Sequence, residues 1–267
     1  MKKKSPSLPK PNVHFVDPYL LNPYNPVIVN VIGTGGTGSQ FLSALARMNQ
    51  SLIALGHPGL FVQAFDEDII TEANLGRQLF SPADTGMNKA VVLINRLNRF
   101  FGTAWKAIPY YYNRDTLADT YDANITISCV DTIAARMDIA AMLRTSPDHN
   151  RRSMYWFDLG NSQYTGQVIL ATVKPVKQPV SKKFKVVSYL PYVTDEYREL
   201  LDRSEQEDTT PSCSLAEALQ KQDLFINSTL ADMGASLLWS MFREGMLQNR
   251  GFFLNIKDFR TQPLKIA

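Results

Sequence analysis

The residues best suited to chemistry begin with a cluster of glycines, Gly33, Gly35, Gly36 and Gly38, directly after the apolar run Val29–Ile32. A G-x-G-x-x-G spacing between a strand and a helix is typical of a phosphate-binding turn. Gly33 allows the backbone angles of the turn, Gly35 lets a phosphate approach the main chain, and Gly38 lets the helix pack on the strand. The free N–H groups of the first helical turn attract a phosphate. The stretch therefore predicts a nucleotide-binding turn; a glycine-rich turn without a ligand is the alternative.

Three charged residues follow the next apolar segments. Asp66 closes the predicted strand Leu60–Phe65, where nucleotide-binding α/β folds hold a ribose hydroxyl. Asp131 follows the predicted strand Ile125–Val130, and ligands bind at the carboxyl ends of strands in open α/β sheets. Lys89 falls in the first turn of a predicted helix, where the helix dipole disfavours a cation, so we expect an anion as its partner. Charged groups at strand ends or in surface salt bridges are the alternative.

A cysteine is a candidate nucleophile late in the chain. Cys213 precedes Ser214, which with Glu217 forms an S-x-x-E capping box and so predicts a helix start. A helix N-terminus favours the thiolate, so we expect Cys213 to be reactive. A small buried residue at a helix start is the alternative. Cys129 lies in a predicted buried strand and is expected to be inert.

The elements that must position these residues alternate between apolar strands and amphipathic helices. This order predicts an α/β fold with a doubly wound, mostly parallel sheet and helices on both faces. Residues 1–26 are rich in proline and predict an irregular N-terminal arm. Residues 27–267 are expected to form the main domain, with a lid or crossover excursion at about 174–211. The long helical pattern that follows is expected to break once, near Gly234.

Composition excludes several classes of protein. The chain has 267 residues, 45% of them apolar, and a net charge of +3, so nothing indicates nucleic acid as a partner. The two cysteines make a disulfide framework or a four-cysteine zinc site improbable on chemical grounds. No apolar run has the length of a membrane span, and no apolar h-region follows the N-terminal lysines. We therefore expect a cytoplasmic protein that does not bind membranes.

Several motifs together resemble the ThiF/MoeB/HesA family, whose relatives are the ubiquitin-activating enzymes. The resemblance covers residues 27–172 and, more loosely, 209–245, and within the family Pro211–Ser214 is most similar to the ThiF-like proteins of PRTRC systems. One such motif is weak evidence, but several in order at family spacing are strong. The motifs are G-x-G-G-x-G-S at Gly33–Ser39, D-x-D at Asp66–Asp68, N-L-x-R-Q at Asn74–Gln78, G-x-x-K at Gly86–Lys89, C-x-D-x-x-x-x-R at Cys129–Arg136 and G-Q at Gly166–Gln167.

The resemblance implies a Rossmann-like adenylation domain over residues 27–267 that uses ATP and Mg²⁺. It implies that Asp66 binds the ribose, that Asp131 binds the metal, and that Cys213 accepts the activated acyl group. The residues that it places on the phosphates or elsewhere on the nucleotide, besides the glycines, are Asp68, Asn74, Arg77, Gln78 and Lys89. Arg77 can hold phosphate oxygens bidentately and Lys89 supplies a point charge.

The implied partner is a small ubiquitin-like (β-grasp) or sulfur-carrier protein that ends in glycine, and its C-terminal carboxylate would be adenylated. The resemblance also implies a homodimer. Members of the family often send an arginine from the N-terminal region into the partner's site, but residues 1–46 contain no arginine. That role is either lost or taken by one of the lysines Lys2, Lys3, Lys4 and Lys10.

Two other functions stay open. A nicotinamide-dependent oxidoreductase would explain the glycines and Asp66 but leaves Arg77, Lys89 and Asp131 without a role, and the chain has no Tyr-x-x-x-Lys pair. A non-catalytic scaffold with the same fold would not need the complete set of charged residues.

Overall fold

The structure is a computed structural model that describes residues 10–145, 153–199, 201 and 214–267. Its strands are β1 (Asn12–Phe15), β2 (Val27–Ile32), β3 (Leu60–Phe65), β4 (Lys106–Ile108), β5 (Ile125–Ser128), β6 (Tyr155–Asn161), β7 (Thr165–Thr172), β8 (Lys185–Val186), β9 (Met246–Leu247), β10 (Asn249–Asn255) and β11 (Arg260–Lys265). Its α-helices are α1 (Pro18–Leu21), α2 (Gly36–Ala54), α3 (Lys89–Phe101), α4 (Arg114–Leu117), α5 (Ile133–Arg144), α6 (Val193–Glu196), α7 (Leu215–Lys221) and α8 (Ile226–Glu244), with 3₁₀ turns at Glu72–Asn74 and Pro82–Asp84.

The central sheet of the described residues has eight strands in the order β11-β10-β7-β6-β5-β2-β3-β4. The half from β4 to β6 is parallel, whereas β7, β10 and β11 pair antiparallel with their neighbours. Strands β2 and β5 lie inside the parallel half, and their apolar sequences match burial on both faces. The predicted doubly wound, mostly parallel α/β sheet is confirmed.

Successive residues of a strand point to opposite faces, and here the faces carry separate cores. Val29 and Val31 of β2 pack in a core with α2, α3 and α8. Ile32 belongs instead to a second core with α5 and Trp156. Helices therefore cover both faces, and the carboxyl ends of the parallel strands stay open at one edge.

A small second sheet ties down part of the N-terminal segment, for which the sequence predicts an irregular arm. Strand β1 pairs parallel with β8 and antiparallel with β9. His14 is completely buried; its Nδ1 donates to the Val187 carbonyl at 2.7 Å, so its Nε2 accepts from the Tyr155 hydroxyl at 2.9 Å. The Asn12–Phe15 run is free of proline and its two central residues, Val13 and His14, are both buried, which explains why a strand forms between prolines.

The long late helix is interrupted, but at a different place from the one expected. Ser214 caps α7, as the sequence predicts, by accepting from the Glu217 amide. The break lies at residues 222–225, whereas Gly234 lies inside α8. A Cβ at Gly234 would come within 3.1 Å of Leu159 and 3.2 Å of Phe41. Glycine there allows close packing of α8 on the sheet and on α2, so it does not end the helix.

The expected excursion is only partly separate from the body. Residues 174–199 contribute β8 and α6, and Tyr192 and Val193 are buried in the second core. The buried Arg250 of β10 forms an ion pair with Glu196 of α6. Much of the rest of the interval, including Cys213 and most of the motif Pro211–Ser214, lies outside the described residues. In the described part of the chain, helices that combine the length and the apolarity of a membrane span do not occur.

Buried His14 predicts a pH dependence of stability. Desolvation lowers the pKa of His14, opposed by the Val187 bond and the Asp17 charge. The unfolded chain takes up this proton below about pH 6.5 while the native protein excludes it, so the free energy of unfolding falls as the pH drops below that value.

Urea unfolding at about pH 7.5 and about pH 5.5 measures this effect against the non-titrating variant His14→Gln. We expect the wild type to lose more stability than the variant between the two pH values. Equal losses would show that His14 does not contribute.

Candidate functional site

The glycine turn joins the end of β2 to α2, and the backbone itself requires two of its glycines. Gly33 has φ +84° and its amide donates to the Phe65 carbonyl at 2.9 Å. A Cβ at Gly33 would lie 2.7 Å from the Cys129 carbonyl oxygen, and one at Gly38 would lie 2.0 Å from the Gly33 oxygen. These contacts press the start of α2 against the ends of β2 and β5. The predicted strand–turn–helix geometry is confirmed.

The other two glycines face the open cleft. Gly35 is the N-cap of α2, and no side chain caps this helix. A Cβ at Gly35 would only touch Gln78 at 3.8 Å, an ordinary contact, whereas one at Gly36 would lie 2.5 Å from Asn227 Oδ1. Packing within the chain therefore leaves room beside Gly35, and the amides of the first turn of α2 face that room as an anion site.

Asp66 follows β3 and serves the turn as well as the cleft. Its Oδ2 accepts from the Thr34 amide at 2.6 Å and the Thr34 hydroxyl at 2.9 Å, and its Oδ1 accepts from the Asp68 amide at 2.9 Å. Burial raises the pKa of Asp66, and the Lys89 charge and the bonds from Thr34 oppose that rise. A carboxylate has about four acceptor positions, so one remains for a ligand hydroxyl.

Lys89 is the first residue of α3 and is mostly buried. Its ammonium contacts Asp68 Oδ2 at 2.7 Å, with the Lys89 side chain 9% exposed. Asn88, which the sequence analysis did not select, caps α3 by accepting from the Val91 amide and donates to the Asp66 carbonyl at 2.8 Å. This cap fixes the loop after β3 to the start of α3, and so brings Lys89 to the strand ends.

Arg77 and Gln78 line the same cleft as Lys89 and have unused hydrogen-bonding groups. Arg77 Nη1 donates to Gln222 Oε1 at 2.5 Å, while Arg77 Nε and Gln78 Oε1 are buried without a partner. Burial lowers the pKa of Arg77. Asn74 differs, because its Oδ1 accepts from the Thr71 amide and hydroxyl and caps a 3₁₀ turn. Asn74 and Gly38 do not line the cleft, unlike the other nucleotide residues selected from the sequence.

Asp131 lies just beyond β5 and is exposed at the cleft. A buried ion pair holds its loop: Arg136 Nε contacts Asp158 Oδ1 at 3.0 Å and Arg136 Nη2 donates to the Val130 carbonyl at 2.7 Å. Asp158 also accepts from the Ser128 hydroxyl at 2.7 Å. The sequence analysis did not select Asp158, although an acidic residue inside the apolar run Tyr155–Gly160 is a usable signal for a buried ion pair.

The residues at the carboxyl ends of β2, β3 and β5, together with Arg77, Gln78 and Lys89, line one cleft of about 520 Å³, a normal volume for a small-molecule site. Further lining residues that the sequence analysis did not select are Thr37, Tyr110, Tyr111, Asn161, Gln222 and Asn227. A shallower depression of about 690 Å³ lies along the outer surface of α3, but its lining includes none of the strand-end residues. The strand-end cleft is therefore the candidate site.

The remaining sequence-selected residues have different outcomes. Cys213 lies outside the described residues. Cys129 lies one residue beyond β5, is half-buried and lines the cleft, so its predicted place inside a buried strand is wrong. Desolvation raises the pKa of its thiol, and its low reactivity stays a prediction. Among the described residues, nowhere do three or more histidine, cysteine, aspartate or glutamate side chains come close enough to hold a metal. A magnesium ion at Asp131 would therefore take its other ligands from phosphate and water, as Mg²⁺ commonly does.

Comparisons with known proteins identify the family of this chain and agree with its fold. Residues 24–266 match the ThiF family, and the chain belongs to this family. It is similar to ubiquitin-like modifier-activating enzyme 5 of Drosophila ananassae, with 28% identity over 151 residues that make up 51% of this chain and 34% of the relative. The enzyme of the same name from Aedes aegypti also has 28% identity over 151 residues, with the same coverage. The matched region spans about a third of these relatives.

Solved structures agree on the fold. PaaA has a TM-score of 0.59 at 14% identity, with 90% of this chain and 73% of PaaA covered. MccB of Escherichia coli has a TM-score of 0.57 at 16% identity, with 93% of this chain and 63% of MccB covered. At these identities the likeness supports the arrangement of helices and strands and not a shared substrate.

The Arg136–Asp158 pair predicts a large stability effect at the site. Asp158→Asn leaves the buried guanidinium without its counter-charge, and we expect a loss of about 3–5 kcal/mol in the free energy of unfolding, measured in urea. The matched control is Asp232→Asn, which breaks the exposed Arg47–Asp232 pair. An exposed pair contributes less than about 1 kcal/mol. Similar losses in the two variants would contradict the structural role of Asp158.

Proposed function

We propose that this chain adenylates the C-terminal carboxylate of a small ubiquitin-like or sulfur-carrier protein with ATP. The observation that carries the proposal is the convergence, at one cleft, of the uncapped start of α2 with the two cations Arg77 and Lys89. Membership of the ThiF family and the likeness to ubiquitin-like modifier-activating enzymes support it. MccB has been crystallised with ATP, and that structure shares the fold of the present chain with a TM-score of 0.54.

A triphosphate fits the groups that line the cleft. The first amides of α2 lack a side-chain cap, and Arg77 Nε is buried without an acceptor. Both features leave donors that phosphate oxygens can use. Asp66 retains an acceptor position for a ribose hydroxyl, and Asp68 and Gln78 complete the proposed nucleotide contacts.

The reaction brings a carboxylate towards the α-phosphate, so like charges must be neutralised. Arg77 and Lys89 both line the cleft and supply two positive charges for this purpose. Asp131 would hold Mg²⁺, whose charge stabilises pyrophosphate as it leaves. The buried Arg136–Asp158 pair keeps the loop of Asp131 in position.

Replacing the proposed charges tests the assignment. Arg77→Ala and Asp131→Ala should each reduce ATP–pyrophosphate exchange about a hundredfold, because each removes a preorganised charge contact. The exchange is measured with a β-grasp protein ending in glycine that the wild-type chain captures. Arg99→Ala and Asp232→Ala are the controls, since these exposed residues do not line the cleft.

The outcomes separate the alternatives. Full activity in Arg77→Ala and Asp131→Ala would refute the site assignment. Thermal stabilisation by NAD and not by ATP would favour the nicotinamide-dependent oxidoreductase. ATP binding without exchange, in the presence of the captured partner, would favour the non-catalytic scaffold.

We further propose that Cys213 takes the acyl group from the adenylate as a thioester. The cysteine directly precedes Ser214 in the sequence, and because Ser214 is the N-cap of α7 we expect the helix dipole to favour a thiolate at Cys213, which then displaces AMP from the adenylate. A reductant-sensitive adduct with the partner protein should form in the wild type and in Cys129→Ala, and be lost in Cys213→Ala. An adduct that persists in Cys213→Ala would remove this role.

The remaining expectations stay predictions. They are the homodimer, the C-terminal glycine of the partner, the PRTRC-type subfamily, the cytoplasmic location, and the absence of nucleic acid and membranes among the partners.

A further inference from the structure

Arg77 is held in the cleft by a neutral acceptor. Its Nη1 donates to Gln222 Oε1 at 2.5 Å, its Nε has no partner, and no carboxylate of the described residues forms an ion pair with it. Lys89, by contrast, contacts the carboxylate of Asp68. Lys89 is thus held by a charged carboxylate oxygen, whereas Arg77 is held by a neutral amide oxygen, which is a much weaker hydrogen-bond acceptor.

Gln222 is the centre of a chain of hydrogen bonds across the cleft. The same Oε1 accepts from Asn227 Nδ2 at 2.9 Å, and Asn227 Oδ1 accepts from the Thr37 hydroxyl at 3.0 Å. Asn227 is buried against Gly36. Through Gln222 and Asn227, this series of hydrogen bonds connects Arg77 with the glycine turn.

Gln222 directly follows α7, within the segment 214–225 that comprises this helix and its flanking residues. The Gln222 side chain makes one of several contacts that hold this segment in place. Gln163 Nε2 donates to the Gln220 carbonyl at 2.6 Å, and the Asp223 amide donates to the Gln163 carbonyl at 3.0 Å. Leu215 packs beside Gly76, the neighbour of Arg77. Of these contacts, the Gln222 bond is the one made with Arg77, the residue proposed to bind phosphate.

We propose that Gln222 is the internal acceptor that holds Arg77 in the nucleotide-free cleft, and that a phosphate oxygen replaces it, so that nucleotide binding loosens the 214–225 segment. The inference rests on the proposed function, since it takes the phosphates of ATP as the competing acceptor. It assigns Gln222 a positioning role, because the residue acts through Arg77.

The relative strengths of the two acceptors determine the direction of the exchange. A hydrogen bond from a guanidinium to a phosphate has charge on both partners and is stronger than one to an amide oxygen. The planar guanidinium of arginine can also donate two parallel hydrogen bonds to a phosphate, whereas Arg77 donates one to Gln222. A glutamine can therefore hold the arginine in place and still be displaced, whereas a carboxylate at this position would compete with the ligand.

The consequence for the chain is local. When Arg77 turns to a phosphate, the 214–225 segment loses its bond to the charged guanidinium and keeps only neutral hydrogen bonds to Asn227 and Gln163 among those described above. The segment should then open more often, which increases the hydrogen exchange of its amides. Because the segment carries the N-cap of α7, occupancy of the cleft would be communicated to the part of the chain that follows Cys213.

Two substitutions with opposite expected effects on ATP affinity test the proposal. Gln222→Glu should weaken ATP binding about tenfold, because a carboxylate holds Arg77 more strongly than an amide does. Gln222→Ala should tighten ATP binding about fivefold, because it removes the competing acceptor. Gln220→Ala is the matched control, since Gln220 is an exposed glutamine of the same helix. Dissociation constants for ATP are measured calorimetrically on the full chain, with thermal unfolding as the check of folding.

Hydrogen–deuterium exchange provides a readout other than affinity. In the wild type, ATP should accelerate exchange in peptides from the 214–225 segment. In Gln222→Ala the exchange should be fast already and respond little to ATP. Protection of this segment by ATP in the wild type would overturn the proposal, as would weaker ATP binding by Gln222→Ala.

Failure of this inference can be distinguished from failure of the proposed function. Wild-type protein that binds no ATP refutes both. Wild-type protein that binds ATP, with the same affinity as Gln222→Glu and Gln222→Ala, refutes the role of Gln222 and leaves the proposed function standing.

Discussion

The site depends on one steric constraint, the contact of backbone with backbone at the glycine turn. Gly38 lies so close to the Gly33 carbonyl, and Gly33 to the Cys129 carbonyl, that a Cβ at either position would overlap an oxygen. The contact draws the start of α2 to the point between β2 and β5. Since the first amides of a helix lack partners within the helix, this position turns them into the floor of the cleft.

The two cations that line the cleft have internal partners of different kinds. Lys89 is mostly buried beside Asp68, and a buried cation without a counter-charge would be strongly destabilising. Arg77 can be left with a weaker acceptor because it is less buried and its charge is delocalised over the guanidinium. The cleft thus contains a strong internal acceptor, the Asp68 carboxylate, and a weak one, the Gln222 amide oxygen. An anionic ligand would displace the weak acceptor more easily than the strong one.

Membership of the ThiF family and the geometry of the cleft narrow the possible functions to different degrees. The family match extends over residues 24–266, so it covers all eight strands of the central sheet. The matched region is only about a third of the activating enzymes it resembles, and the solved structures are 14–16% identical. The comparisons therefore show the family and the fold, and the substrate rests on the proposal above.

The sequence by itself determined the features that local periodicity and spacing encode. The strand–turn–helix at Gly33–Gly38, the strand ends that carry Asp66 and Asp131, and the N-cap at Ser214 all follow from contacts between residues near in sequence. Parallel strands bring their carboxyl ends to one edge, so much of the cleft could be predicted before any contact was known.

Tertiary packing decided the rest, because the contacts involved join distant parts of the chain. Asn74 is the exception, because its partner Thr71 is only three residues away and the contact is a local turn cap. Gly234 would end an isolated helix, but its closeness to Leu159 and Phe41 keeps it inside α8. Gln222 is 145 residues from Arg77, and no spacing rule connects them. Side-chain partners across such distances depend on how whole helices and strands pack, which local sequence does not specify.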